Sequence, residues 1–324
     1  RAWGADFLTM EKMIALSGLT KKFGPILAVD DISLTVNRGE VVGFLGPNGA
    51  GKTTTMRMVT GFLPPSAGTA EVCGFDVVND PISVKQKIGY VPEGAPLYDD
   101  MTPKQFLEFI AGVRGITGTE VKQRIDEVVE KVRLGDMLHR PIETLSKGYK
   151  RRVALAQAIL HNPEVLILDE PTDGLDPNQK DQVRNLINEM AKDKAIVIST
   201  HILEEVEAVC TRAVIISNGA LVFDGTPEDM ERKSTLHNAV SVRLKEDLLE
   251  KAQSEISGLA SVKGIETVGQ TNGMATLLIR PNDDKIIISE VSERIRTGGL
   301  EVDEVRAERG DMFEVFHQLT AAGE

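Results

Sequence analysis

The chain has 324 residues, 41% of them hydrophobic, which is enough to form a full core and predicts two domains. Its formal net charge of −12 argues against coating a nucleic acid as the main role. No apolar run approaches the roughly 18 residues that a membrane-spanning helix needs, so we expect a soluble chain. Cys73 and Cys210 lie far apart without His or Cys neighbours, which favours buried thiols over a disulfide or a metal site.

The first residues, RAWGADFLTMEK, show no clear periodicity. We expect residues 1–12 to be disordered or to lie upstream of the natural start, for which Met10 and Met13 are the candidates. No signal peptide is evident in this stretch. The first domain is therefore predicted to begin at residue 13.

The next part of the chain is predicted to be rich in strands. Alternating apolar and polar residues predict antiparallel strands at 15–23 and 26–36. EVVGFLG, residues 40–46, is a continuous apolar run typical of a strand buried on both faces. A glycine-rich turn and a helix follow it. GTAEVCGFDV then predicts another strand pair, and KIGYVPEG predicts a strand and a loop.

Between Thr102 and His161 the pattern is helical. Thr102 is the predicted N-cap of the first helix, with Pro103 at its first position. Two further helices are predicted in TEVKQRIDEVVEKVRL and GYKRRVALAQAILHN. Strands and helices then alternate through EVLILD, NQKDQVRNLINEMAKD, AIVIST, ILEEVEAVC and RAVIISNG. This alternation predicts a parallel sheet with crossover helices, interrupted by a helical insert at about residues 94–161.

A second pattern begins after about Lys233, in the order strand, helix, strand, strand, helix, strand. Its middle strands form a predicted hairpin that turns on Asn272 and Gly273. This order is typical of a small ferredoxin-like α+β domain, which we place at residues 234–324. A final helix carries His317 on an amphipathic face, which favours a surface or packing role. No catalytic constellation is evident in this region.

GPNGAGKT, Gly46 to Thr53, matches the phosphate-binding loop pattern. Chance would give roughly 0.02 such matches in a chain of this length, so we reject a plain glycine-rich turn. The glycines let backbone amides wrap phosphate oxygens, and the following helix adds its dipole. Lys52 would reach the terminal phosphates, and Thr53 would offer its hydroxyl to Mg²⁺.

VLILDEPTDGLD, residues 165–176, drives an apolar strand directly into carboxylates. Like charges this close raise each other's pKa, so the acids are either well solvated at a loop or gathered around a cation. In a phosphate-loop fold, the strand beside the loop ends in an acid that holds Mg²⁺. We therefore expect Asp169 to face the metal. Glu170, whose side chain diverges from it, would take a proton from the attacking water.

Together these motifs, within residues 14 to about 228, resemble the nucleotide-binding subunit of an ABC transporter. TLSKGYKRR is similar to that family's signature loop, although Lys147 and Tyr149 replace the usual Gly and Gln. PTDGLD resembles its D-loop, with Asp176 as the matching acid. VISTH places His201 at the switch position, at the end of a buried strand.

Two further positions match the family by place. Phe23 falls where the family stacks an aromatic ring on adenine, and Glu93 falls where it has a glutamine. Glu93 combined with LSKGYKRR resembles the ATP-binding subunits of exporters related to the gliding-motility type, which pair with separate membrane subunits. An acid at position 93 can still ligate Mg²⁺.

The resemblance implies an α/β fold, a P-loop NTPase cassette with a mixed sheet core and a helical insert, over residues 13–233. It implies Glu170 and His201 as catalytic residues. The metal site would use Thr53, Glu93 and Asp169. The implied nucleotide-binding residues are Phe23, Gly46, Pro47, Asn48, Gly49, Ala50, Gly51, Lys52, Thr53, Thr54, Ser146, Lys147, Gly148 and Asp176.

It also implies an ATPase that uses ATP and Mg²⁺ and acts as a homodimer or with a paired ATPase subunit. This dimer would drive integral-membrane permease subunits from the cytoplasm, peripheral on the inner face of the cell membrane, with no nucleic-acid partner. The insert would contact the permease, and Glu93 would relay site occupancy to it. The alternative is a non-transport ATPase acting on ribosomes or DNA. The presence of Lys52, Asp169, Glu170 and His201 together weighs against an idle regulatory module.

Overall fold

The computed structural model describes residues 11–94 and 96–321. The expectation for residues 1–10 therefore lies outside the described residues, whereas Lys12 already belongs to the first strand. The chain forms two compact units. The described part of the first ends at Gly225, and the second runs from Thr226 to Ala321.

The first unit alternates strands and helices around two sheets. Its elements in chain order are β1 (Lys12–Phe23), β2 (Ile26–Asn37), β3 (Val41–Leu45), α1 (Lys52–Val59), β4 (Ala67–Val72), β5 (Phe75–Asp76), α2 (Pro81–Lys87), β6 (Ile88–Val91), α3 (Pro103–Val113), α4 (Thr119–Lys131), α5 (Lys147–Ile159), β7 (Val165–Asp169), α6 (Pro177–Ala191), β8 (Ala195–Thr200), α7 (Leu203–Val209), β9 (Arg212–Ser217) and β10 (Ala220–Gly225).

The larger sheet has the order β10-β9-β3-β8-β7-β6, and the smaller antiparallel sheet has the order β2-β1-β4-β5. In the larger sheet β6, β7, β8, β3 and β9 are parallel, and β10 runs antiparallel to β9. Strands β3, β7 and β8 are buried at every residue, as expected when helices cover both faces. The prediction of an α/β cassette with a mixed sheet is thus confirmed.

One topological expectation is wrong. The strand that carries Asp169 does not lie beside the strand of the phosphate loop, because β8 lies between β7 and β3. Periodicity identifies a buried strand but not its neighbours, so the sequence pattern could not establish which strands are adjacent. The inserted strand, β8, is the one that leads into His201.

The insert begins as predicted. Thr102 caps α3, accepting a hydrogen bond from the N–H of Gln105, whose side chain bonds back to the N–H of Thr102. Pro103 is the first helical residue. Helix α2 and strand β10 were not predicted. The sequence held a signal for β10, because Asn218 and Gly219 form a dipeptide typical of tight hairpin turns. In the structure both residues have positive φ, as such a turn requires.

The second unit is a small α+β domain. Its elements are α8 (Pro227–Glu231), β11 (Val240–Lys245), α9 (Leu249–Ser257), β12 (Val262–Thr271), β13 (Met274–Pro281), α10 (Ile288–Thr297), β14 (Val302–Ala307) and α11 (Met312–Ala321). The antiparallel sheet has the order β12-β13-β11-β14, which is the ferredoxin-like arrangement expected from the sequence. Its hairpin turns on Asn272 and Gly273, both with positive φ. The exposed ring of His317 packs edge-on against Phe313.

The unit boundary differs from the predicted residue 234. Helix α8 packs on α11 within the second unit, and Ser234 Oγ donates to the carboxylate of Glu314 on α11 at 2.6 Å. A Cβ added at Gly310 would lie 2.1 Å from the carbonyl oxygen of Glu231, which shows how closely the two segments approach. These contacts place the boundary at Thr226, where no change in periodicity marks it.

A chain that ends at Gly225 should stay soluble and folded, because the deletion removes the second unit as a whole. We expect its affinity for a fluorescent ATP analogue to match that of the full chain, since every candidate site residue lies upstream. The control ends at Lys233. It keeps α8 without α11 and exposes the fully buried Met230, so it should aggregate more readily. An insoluble chain ending at Gly225 would show that the second unit is integral to the first.

Candidate active site

The phosphate loop joins β3 to α1, and two of its glycines are sterically required. A Cβ added at Gly46 would lie 2.3 Å from the carbonyl oxygen of Ile216. Gly51 has a φ of +107°, and a Cβ there would lie 2.6 Å from the carbonyl oxygen of Ala28. Only glycine allows this backbone path at these two positions, and glycine-rich loops of this kind turn main-chain amides towards a bound anion. The N–H of Ala50 instead donates to the carbonyl oxygen of Pro47 at 3.2 Å.

Lys52 begins α1 and is only 8% exposed. Its Nζ donates to the carbonyl oxygens of Gly46 at 2.6 Å and Pro47 at 3.2 Å. Burial lowers the pKa of Lys52, while the negative charges of Glu170 and Asp169 oppose that effect. The loop therefore surrounds the ammonium group of Lys52 and holds its charge near Asp169 and Glu170.

Asp169 ends β7 and is 2% exposed. Its Oδ1 accepts a hydrogen bond from Ser199 Oγ on β8, whereas its Oδ2 is buried with no partner among the described residues. An unpaired buried carboxylate oxygen is costly, so this oxygen needs a ligand.

A magnesium ion fits that requirement. Thr53 and Glu93 line the same cavity as Asp169. The described part of the chain contains no cluster of His, Cys, Asp or Glu side chains that could enclose a metal by itself. Mg²⁺ does not need one, because it usually takes one or two carboxylates and completes its shell with water and substrate phosphates. The donor set present therefore suits an ion that arrives with a nucleotide.

Glu170 and His201 meet across neighbouring strands. Glu170 Oε1 lies 2.9 Å from Nδ1 of His201, which follows β8. Glu170 has a φ of +49°, a left-handed conformation that residues other than glycine seldom adopt. Its backbone N–H donates to the carbonyl oxygen of Ser199 at 3.0 Å. This turn aims a carboxylate at the histidine ring.

These groups share one cavity of about 460 Å³. It brings together the loop, the acids and the histidine that the sequence pointed to, and adds two residues that were not predicted, Ala28 and Asp173. The predicted residues that line it are Asn48, Gly49, Ala50, Gly51, Lys52, Thr53, Thr54, Glu93, Asp169, Glu170 and His201.

The other predicted nucleotide-binding residues lie outside the cavity wall. Gly46 and Pro47 bond to Lys52 as described. Phe23 is 46% exposed at the end of β1, with Lys21 Nζ 5.3 Å from the centre of its ring. Its exposed ring remains open to stacking, but the described cavity does not include it.

The stretch that resembles the signature loop forms a second helix start. Ser146 caps α5, accepting a hydrogen bond from the N–H of Tyr149 at 3.4 Å. Lys147 pairs with Asp173 at 2.8 Å, and Gly148 is buried. Asp176 caps α6 in the same way as Ser146, accepting from the N–H of Gln179 at 2.9 Å. None of these predicted residues lines the cavity.

Comparison with known proteins identifies the family. The family model described as ABC transporter matches residues 29–173. Over 224 residues the chain is 39% identical to the ABC transporter ATP-binding protein NatA of Bacillus subtilis (strain 168), an alignment covering 67% of this chain and 91% of that protein. The chain belongs to the ATP-binding subunits of ABC transporters. This ABC ATPase therefore binds ATP as its resemblance predicted, while the gliding-motility subgroup stays a prediction.

Two further comparisons define the extent of the likeness. The ABC ATPase is 32% identical over 311 residues to the daunorubicin/doxorubicin resistance ATP-binding protein DrrA of Streptomyces peucetius, covering 95% of this chain and 92% of that protein. That alignment includes the second unit. A solved ATP-binding subunit of an ABC transporter is 31% identical with a TM-score of 0.64, covering 68% of this chain and 92% of the other. Within residues 11–94 and 96–321, no helix has the length and apolarity needed to span a bilayer.

Sequence reasoning also missed two residues outside the cavity wall that shape the site of the ABC ATPase. Ser199 bonds Asp169 because β7 and β8 pair in a register that places the two residues side by side. Arg151 donates to backbone carbonyl oxygens around Glu170. Neither contact is local in sequence, so no motif or spacing could have revealed it.

Proposed function

We propose that this ATPase hydrolyses Mg²⁺-bound ATP to drive a separate integral-membrane permease. The observation that supports the chemistry is the single cavity in which the phosphate loop, Asp169, Glu170 and His201 meet. Each side chain there has a position suited to one task in phosphoryl transfer.

In this proposal, Lys52 and the loop amides hold the terminal phosphates, where the buried cation offsets negative charge. Glu170 accepts the proton of the attacking water as general base. His201, positioned by its contact with Glu170, steadies the γ-phosphate. Thr53, Asp169 and Glu93 would hold Mg²⁺, which neutralises charge on the phosphates when it is bound.

The functional unit would be a dimer in which two chains sandwich two nucleotides. The observation that supports this is the separation of the two helix starts. The residues that begin α1 line the cavity, whereas Ser146 to Gly148 at the start of α5 do not. Both starts offer unpaired N–H groups and the positive end of a helix dipole, so both suit phosphate. The start of α5 would then serve the nucleotide of the paired chain.

The proposed permease contact is an apolar groove beside the helical insert. It has a volume of about 920 Å³ and is lined by residues of α2, β6, α3 and α5 among others. Five large apolar side chains of this groove are between 45% and 74% exposed, and they are Phe62, Ile82, Tyr98, Phe109 and Val113. Contiguous exposed apolar surface of this kind marks interaction sites. The groove includes Pro92, which precedes Glu93 of the cavity, so one loop borders both sites.

Export is the proposed direction. It rests on relatives whose names state export or drug resistance, such as the daunorubicin/doxorubicin resistance protein. The proposed location is the cytoplasmic face of the membrane, where ATP and the permease would both be accessible.

Val113→Asp should abolish binding to membranes that contain the permease while the isolated protein keeps its ATPase activity. A carboxylate in the groove must be desolvated on docking, at a cost on the order of several kcal/mol. Co-sedimentation with washed membrane vesicles of the source organism measures binding. Val222→Asp is the control, since Val222 is also exposed in the first unit but lies outside the groove. Membrane binding of Val113→Asp at the level of the control would contradict the groove as the contact.

A further inference from the structure

Arg151 is a buried cation whose hydrogen bonds all go to main-chain oxygens. It lies on α5 and is 8% exposed. Its guanidinium donates to the carbonyl oxygens of Asp169 at 3.0 Å, Pro171 at 3.1 Å and Pro92 at 3.3 Å, and also to that of Glu170. It forms no ion pair with an acid in the part of the chain that the structure describes. A planar fork of donors is therefore used to hold backbone.

The backbone that it holds includes the left-handed turn at Glu170. A non-glycine residue at a φ of +49° keeps that conformation only where its surroundings enforce it. Both polar groups of this residue's backbone are held. Its N–H donates to the carbonyl oxygen of Ser199 on β8, and its carbonyl oxygen accepts from Arg151 on α5 and from the N–H of Asp173 at 3.2 Å. Arg151 thus supplies one of three hydrogen bonds that hold the main chain of Glu170, and it is the one that ties this turn to α5.

The same side chain reaches a second part of the site. Pro92, whose carbonyl oxygen also accepts from Arg151, directly precedes Glu93, which lines the nucleotide cavity. One guanidinium therefore fixes the end of β7 against the loop that follows β6. Arg151 forms no hydrogen bond with the phosphate loop, Gly46 to Thr53, in the described part of the chain.

We propose that Arg151 is a positioning residue for Glu170 of its own chain, required for hydrolysis and dispensable for nucleotide binding. This inference rests on the proposed role of Glu170 as general base. Without the guanidinium, the carbonyl oxygens near the end of β7 lose these hydrogen bonds, and the left-handed turn keeps only its bonds to Ser199 and Asp173. The carboxylate then departs from the geometry that proton abstraction needs, while the phosphate loop stays intact.

The first test compares Arg151→Gln and Arg151→Lys with the control Arg212→Gln. Arg212 also donates to a main-chain oxygen, that of Thr35, but it begins β9, whereas the phosphate loop and His201 follow the carboxyl ends of the parallel strands. We expect Arg151→Gln to lower kcat at least about tenfold, with KM and the affinity for a fluorescent ATP analogue changed less than about threefold. Arg151→Lys should fall between the wild type and Arg151→Gln, because an ammonium can reach some of these oxygens but lacks the fork.

Each outcome of this test either supports or overturns the proposed role of Arg151. A kcat of Arg151→Gln equal to that of the control would overturn the proposal. A loss that appears equally in analogue affinity would show a general defect of the nucleotide site and would also overturn it. If Arg151→Gln does not fold, as judged by its thermal unfolding, the intermediate kcat of a folded Arg151→Lys at unchanged analogue affinity decides in its place.

The second test asks which chain of the dimer Arg151 serves, using mixed dimers. Arg151→Gln paired with Ser146→Arg should regain activity, because one site then combines an intact Glu170 turn with an intact start of α5. Arg151→Gln paired with Glu170→Gln should not, because each chain then lacks a working base. The reverse pattern would show that Arg151 acts through the start of α5, against the proposal.

A reference pair separates this inference from the proposed function. Lys52→Ala mixed with Ser146→Arg should recover activity if the site is shared between chains. Recovery in that pair but not in the pair of Arg151→Gln with Ser146→Arg overturns the inference and leaves the shared site standing. No recovery in the reference pair contradicts the shared site itself, and the kinetic comparison of the single variants still decides the role of Arg151.

Discussion

The Glu170→Gln variant is expected to bind ATP and to lose hydrolysis by roughly 10²–10⁴-fold in kcat. The amide has nearly the shape of the carboxylate, and its oxygen can still contact Nδ1 of His201, as the Glu170 oxygen does at 2.9 Å. It cannot accept a proton from water at neutral pH. With hydrolysis blocked, an ATP-bound dimer should accumulate on gel filtration in the presence of Mg²⁺.

The control for this variant is Glu164→Gln. Glu164 directly precedes β7, at the opposite end of the strand that leads to Glu170, and pairs with Lys87 and Arg38. Removing its charge should lower stability slightly, since exposed pairs contribute at most about 1 kcal/mol, and should spare kcat. Turnover of Glu170→Gln at the wild-type rate would show that another group is the base.

The second large effect is expected in mixed dimers of Lys52→Ala and Ser146→Arg, which should recover ATPase activity that neither variant shows alone. Lys52→Ala removes the buried cation of the loop. Because hydrogen bonds to charged groups contribute about 1.5–3 kcal/mol, we expect its own nucleotide affinity to fall roughly 10- to 100-fold. Its helix start at α5 stays sound. Ser146→Arg keeps its phosphate loop but places a bulky side chain at the exposed start of α5.

Mixing therefore restores one complete site, formed by the loop of one chain and the α5 start of the other. ATPase activity is measured for each variant alone and for the mixture, ideally with the permease present. Ser146→Ala separates bulk from capping, since it removes only the cap, worth about 1 kcal/mol, and should keep part of the activity. Full activity of Ser146→Arg alone would rule out a shared site, and absence of recovery in demonstrably mixed dimers would count against it.

The sequence predicted those parts of the site in which one short stretch of residues determines both the backbone path and the functional groups. The glycines from Gly46 to Gly51 encode a turn that only such residues allow, and the apolar run before Asp169 encodes a buried strand that ends in an acid. These signals are local. They place a loop, an acid and a histidine at strand ends without any knowledge of which strands are neighbours.

What the sequence could not give depends on contacts between distant segments. The position of β8 between β3 and β7 is set by pairing, since the three buried strands have nearly the same composition. The contacts of Arg151 with the carbonyl oxygens near Glu170 follow from how α5 packs, and main-chain acceptors leave no trace in the sequence. The unit boundary at Thr226 was missed for the same reason, because α8 belongs to the second unit only through α11.

The order of the larger sheet determines which backbone amides of the first unit should exchange slowly with solvent. Strands β3 and β8 are its two innermost members, each paired on both sides and buried at every residue. Backbone amides in such strands exchange with solvent deuterium only when the whole unit unfolds, whereas edge strands and loops exchange through local fluctuations. The phosphate loop and His201 each follow one of these two strands. Both are therefore anchored to the part of the unit that is expected to exchange most slowly.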